Sequence, residues 1–160
     1  MGALTLSAQE QMVQSSLKGL ISRNQEQIIS LANAFSEEQY DWRPAEGIRS
    51  VGETILHTAQ ANYFLAGLLG FSAPEDVDMM GMEKIKGKEN ILAAFNKSFV
   101  FILEKIDEVK PEDFGKEVDL GGNKFNTLDT LMIILEHSGE HKGQLIAYAR
   151  SNGVTPPWSN

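Results

Sequence analysis

The sequence predicts an all-α fold, a four-helix bundle, and three observations lead to it. Four long segments carry apolar residues at helical spacing. Two of them open on the Ser-x-x-Glu pattern of a capping box. Glycines and prolines punctuate the stretches between them. Amphipathic helices of this kind cannot each bury an apolar stripe alone, so packing all four together is the economical solution.

The first helix is expected to open at Ser7, with Glu10 completing the capping box. Its apolar positions are Met12, Val13, Leu17, Leu20, Ile21, Ile28 and Leu31. Ser36-Glu37-Glu38-Gln39 repeats the capping signature and predicts a short extra helical turn before Trp42-Arg43-Pro44. The second long helix opens at Ser50, capped with Glu53, and runs to about Gly70. A loop with Pro74 and the Met79-Met80-Gly81-Met82 cluster follows. Those thioethers are read as packing a loop or a dimer contact, not as ligands for a soft metal. The third helix spans roughly Lys88 to Val109 and stops before Pro111, which disfavours helix at the residue preceding it. Between Phe114 and Phe125, Gly121-Gly122 separates short alternating stretches and predicts a small hairpin. The last helix begins near Asn126 or Thr127 and ends at Asn152-Gly153, a left-handed stop with Pro156-Pro157 beyond it. No linker or repeat interrupts this order, so one domain over residues 1–160 is expected.

Composition narrows the function. The 160 residues hold 14 basic and 22 acidic side chains, a formal net charge of −8, which disfavours a nucleic-acid backbone binder. With no cysteine, thiolate zinc sites, iron–sulfur clusters and cysteine nucleophiles are excluded. The longest apolar run, Tyr63 to Phe71, is far short of the roughly 20 residues of a membrane span. The start, Met1 to Ser7, has neither a basic nor an apolar signal region, so a soluble cytoplasmic protein is expected.

The chain has three histidines: His57, His137 and His141. The last two stand at i and i+4, about 40° apart on one helix face, a spacing that lets two imidazoles converge on one ion. Their strip includes Ile133, Gln144 and Tyr148 and so borders the apolar sector. His57 shares its face with Ala61, Phe64 and Leu68 and points toward the core. A lone histidine on an apolar face is ordinarily a satisfied core residue, and an i, i+4 pair also arises by chance on helix surfaces. That all three fall on core-bordering faces makes a three-nitrogen metal site, with positions open to water or substrate, the sharper reading.

His137-x-x-Glu140-His141 also fits the H-x-x-E-H pattern of inverted zinc proteases, with Glu140 as general base. No Asp or Glu follows His141 to serve as a third ligand, so a protease is disfavoured and Glu140 reads as a solvated charge. Glu140 and Gln144 are the two catalytic candidates, Gln144 by hydrogen bonding a ligand or holding a neighbouring helix. Glu53 could orient His57, although its capping role already accounts for it. Tyr148 and Arg150 could anchor an anionic substrate group, but packing and a helix-end cation explain them more simply. Trp42 is assigned to the connection between the first two helices.

His137-x-x-x-His141-Lys142-Gly143-Gln144, with Tyr148-x-Arg150-x-Asn152-Gly153-x-x-Pro156-Pro157, resembles the last helix of the DinB-like superfamily. Asp41-Trp42-Arg43-Pro44, Arg49-Ser50-Val51-Gly52-Glu53 and His57 resemble its first-ligand region, and the likeness covers nearly the whole chain. The resemblance implies a bundle holding one divalent metal ion, zinc or nickel foremost, through His57, His137 and His141. It further implies a thiol-dependent S-transferase, or a related transferase or hydrolase-like enzyme, acting on a small molecule. The cosubstrate would be a low-molecular-weight thiol such as bacillithiol, mycothiol or glutathione, and the assembly a homodimer. The rival reading is a non-catalytic, stress-related metal- or ligand-binding protein using the same site; a third is a structural module without metal.

Overall fold

The computed structural model describes residues 2–159, with side chains from Ala8 onward. Four helices form: α1 (Gly2–Ala34), α2 (Val51–Leu68), α3 (Lys88–Glu108) and α4 (Thr127–Ser151). Short 3₁₀ turns occupy Glu38–Asp41, Met82–Lys84 and Pro111–Asp113, and one hairpin, β1 (Glu117–Leu120) and β2 (Asn123–Asn126), precedes α4. Among the described residues, no helix is long and apolar enough to cross a membrane.

Most boundaries follow from local chemistry. Ser50 Oγ accepts the Glu53 amide while the Glu53 carboxylate accepts the Ser50 amide, so α2 starts on a complete capping box. Asn126 and Asp129 do the same for α4. The Ser36 amide donates to Gln39 Oε1 and the turn at Glu38–Asp41 follows. Gly121 and Gly122 both have positive φ, 63° and 89°, as the tight turn joining antiparallel β1 and β2 requires. Gly153 (φ 71°) closes α4. One boundary differs from expectation. The backbone is already helical at Gly2, so α1 does not open at Ser7, whose side chain lies outside the described residues. Ala3, Leu4 and Leu6 favour helix and no breaker stands between Gly2 and Ser7, so a capping pattern alone does not set a start.

Each helix has two principal neighbours: α1 packs on α3 and α4, and α2 packs on α3 and α4. Sequence-adjacent helices α1 and α2 are therefore diagonal, and α2 lies beside α4. Leu17, Ile21, Ile28 and Leu31 form the buried ridge of α1, continued by Phe35 just past its end. They meet Ile55, Leu56 and Ala59 of α2, Phe95, Phe99 and Ile102 of α3, and Leu131, Ile134 and Leu145 of α4 in one core. Met12 and Leu20, expected on the apolar stripe, are exposed: Met12 stands roughly 160° off the centre of the Leu17–Ile21–Ile28 ridge, and Leu20, roughly 80° off, lies at its edge. Gly52 permits a close approach: a β-carbon there would sit 2.9 Å from Ile91 Cδ1 and 3.3 Å from the Tyr40 carbonyl oxygen.

Because the Ser50 cap fixes where α2 begins, and hence where His57 stands, Ser50→Ala is expected to cost about 1 kcal/mol. A urea titration should show a lower midpoint with an unchanged slope; an unshifted midpoint would deny the cap its role.

Candidate metal centre

His57 lies at the end of the second turn of α2, and His137 and His141 lie on successive turns of α4. Since α2 and α4 are neighbours, the three rings meet. Ring centroids are 5.2 Å (His57–His137), 5.0 Å (His57–His141) and 4.4 Å (His137–His141) apart. One ring nitrogen from each lies within 4.8 Å of the others. His137 Nε2 and His141 Nε2 are separated by 3.1 Å. Two nitrogens bonded to one zinc-sized ion at about 2.0–2.1 Å stand roughly 3.0–3.4 Å apart, so this pair already has the spacing of co-ligands.

The groups behind the rings fix their tautomers. Gln144 Nε2 donates to the Tyr148 hydroxyl at 2.7 Å, and that hydroxyl donates to the Arg49 carbonyl at 3.2 Å. This orients the amide so that Gln144 Oε1 faces His141 Nδ1 at 2.8 Å. An amide oxygen only accepts, so His141 carries its proton on Nδ1 and presents Nε2 as a lone pair. In the metal-free protein, the His137 Nε2–H donates to it. His57 Nδ1 faces Glu83 Oε1 at 3.0 Å and must likewise be the protonated nitrogen, leaving Nε2 as its ligating atom. Arg49 forks onto Glu83, with Nη2–Oε1 and Nε–Oε2 both 3.1 Å. Arg49 thus anchors both arms, one through its guanidinium and the other through its backbone carbonyl. Trp42 closes the His141 arm edge-on against Tyr148, with centroids 5.3 Å apart.

Burial and neighbouring charge disfavour protonation of His57 and His137. Burial pushes His137 down to about 4, helped by the neighbouring imidazoles of His141 and His57. Burial also lowers His57, as does Arg49, and these outweigh the opposing pull of Glu83. Burial opposes the charge on Glu83, but Arg49 and His57 overcome it and hold the carboxyl below its ordinary range. His57 and His137 are therefore unprotonated at neutral pH, the state a metal requires. A base depressed in the folded state binds fewer protons than the unfolded chain, so stability rises with pH across the interval. The chelator-treated protein should lose stability as pH falls from about 6.5 to about 4, and His137→Gln should flatten that slope. An equal slope in the variant would remove His137 from this account.

Beside His57 and His137 opens a cavity of about 460 Å³. Phe64, Leu65, Leu120 and Ile133 form apolar walls, and Met79 and Met80 border it from the α2–α3 loop. The face of α2 that carries His57 therefore looks partly into this cavity and not wholly into the closed core: Phe64 is 50% exposed. Met82, by contrast, is buried in the core.

The other residues singled out in the sequence sort as follows. Glu140 is exposed and does not join the histidine cluster among the described residues. Both ends of the Gln144 amide are engaged within α4, Oε1 with His141 and Nε2 with Tyr148, so it positions His141. Glu53 caps α2 and pairs with Arg43; the carboxylate on His57 is Glu83 instead. Arg150 is exposed. Glu83 and Arg49 as supports for His57 were missed. Only the loop's return across α2 brings Glu83 near, and no local pattern encodes that.

The bundle and its cluster define a class: four helices whose second and fourth members bring three imidazoles to one point beside a small-molecule-sized cavity. The chain belongs to the DinB family, which it matches over residues 12–160. It is 30% identical to YjoA of Bacillus subtilis (strain 168), over 78% of this chain and 81% of YjoA. Its fold is that of a DinB-like protein from Bacillus cereus ATCC 10987, with a TM-score of 0.73 at 18% identity, over 86% of this chain and 91% of that one. The Bacillus subtilis YjoA structure superposes with a TM-score of 0.69 at 19% identity, covering 88% of this chain and 94% of its own.

Proposed function

We propose that this protein is a cytoplasmic metal-dependent S-transferase that joins a low-molecular-weight thiol to a small electrophile. The observation that carries the proposal is the inward convergence of three imidazoles, two of which, His57 and His141, have their tautomers set from behind. His57, His137 and His141 would hold one divalent ion; imidazole suits zinc and nickel alike. When bound there, such an ion supplies the Lewis acidity that brings a thiol's pKa into the neutral range. Glu83 and Gln144 hold His57 and His141 in place, while Phe64, Leu120 and Ile133 exclude water from the space beside them. In the transfer the thiol gives its proton to solvent, sulfur forms the carbon–sulfur bond, and the leaving group departs with the bonding pair.

No carboxylate at the site is free to act as a general base: Glu83 is committed to Arg49 and His57, and Glu140 is exposed and outside the cluster among the described residues, so activation of the nucleophile would fall to the ion. The same commitment supports a second reading, a binder with no proton-transfer group to spare. Metal-loaded protein assayed with bacillithiol, mycothiol and glutathione against an alkylating electrophile is expected to form the thioether, and chelator-treated protein is not. Full metal content without turnover on any of the three thiols would assign the binder.

A further inference from the structure

We propose that the cavity beside His57 and His137 binds an uncharged, largely apolar ligand, an aromatic or alkyl molecule that directs one polar end toward the imidazoles. This rests on the transferase reading and assigns the cavity to the electrophile and not to the charged thiol. Charge distribution carries the assignment: among the described residues, no Asp, Glu, Lys or Arg lines the space. A carboxylate, phosphate or ammonium seated there would give up hydration without gaining a charged partner. The nearby guanidinium of Arg49 is already forked onto Glu83. The protein's net charge of −8 further disfavours anions.

Size and shape fit a small molecule. The volume, about 460 Å³, falls within the roughly 300–1,000 Å³ of ligand pockets. The polar groups in the lining are the two imidazoles and Gln60, whose Nε2 donates to the Met79 carbonyl at 2.6 Å and so fixes the loop as a wall. Phe64 is 50% exposed and Met80 89% exposed at this cavity, giving a rim that adapts to a range of apolar shapes.

The test uses two fluorophores that share one skeleton and differ in charge: neutral N-phenyl-1-naphthylamine and anionic 1-anilinonaphthalene-8-sulfonate. Titrated into the whole protein, with metal and after chelation, the neutral probe should bind once per chain and at least tenfold more tightly than the anionic one. Ala61→Trp, which fills the space, should weaken the neutral probe at least tenfold without changing metal content. Ile133→Lys, which places a cation in the wall, should invert the preference. Equal affinities for the two probes, or neutral-probe binding indifferent to both substitutions, would overturn the assignment. A dimer that dissociates in the Ala61→Trp variant would also overturn it, since a second copy would then cover the cavity. Neutral-probe selectivity in a protein that takes up no metal would defeat the transferase reading and leave the cavity assignment standing. Metal uptake without selectivity would do the reverse.

Discussion

Replacing His141 by alanine is expected to abolish stable metal retention, and His57→Ala should do so to the same degree. Each removes one of three nitrogens that lie within 4.8 Å of one another. A two-nitrogen remainder cannot enclose an ion, so the loss should exceed the roughly 10–100-fold that removal of a supporting partner costs. His141 has a second reason to matter. Its Nε2 stands 3.1 Å from His137 Nε2, so its loss also removes the acceptor that orients His137. Elemental analysis of protein purified without a histidine tag is the direct measurement, with about one ion per chain expected in the wild type and near none in either variant. A full complement in His57→Ala would take that residue out of the ligand set.

The second large effect is expected at a residue that touches no ion. Glu83→Ala removes the acceptor from His57 Nδ1 and leaves the Arg49 guanidinium facing the ring with no carboxylate between them. Lost orientation and new repulsion toward a cation act in the same direction, and the combined weakening should fall within about 10–100-fold. Glu83→Gln keeps an acceptor oxygen but loses the charge, so it should lie between wild type and alanine. Tyr148→Phe tests the opposite arm by removing the hydroxyl that orients Gln144, with little effect on His57. Competition against a chromophoric chelator resolves these differences. Wild-type affinity in Glu83→Ala would show that the carboxylate is a bystander.

What could be read from the chain was what its local chemistry encodes. Ser50 with Glu53, Gly121-Gly122 and Asn152-Gly153 each satisfy or terminate a backbone within a few residues, and each boundary stands where those residues place it. The histidine faces were legible for the same reason, since helical period fixes direction. The unreadable features depend on which elements meet. Glu83 reaches His57 because the loop after α2 folds back, and Arg49 serves both arms because its carbonyl and side chain diverge. The diagonal placement of α1 and α2 likewise lies in the packing and not in any short stretch. Phe64 shows the converse: at a helical repeat it reads as core, yet it borders an opening.

The pairing of α2 with α4 also has a consequence during biosynthesis. The imidazoles belong to helices separated along the chain by α3 and the hairpin, so a growing polypeptide has no complete ion trap until α4 emerges from the ribosome. An ion held by the three imidazoles would act as a late clasp, selectively holding finished molecules by mass action and giving unfinished ones no comparable advantage.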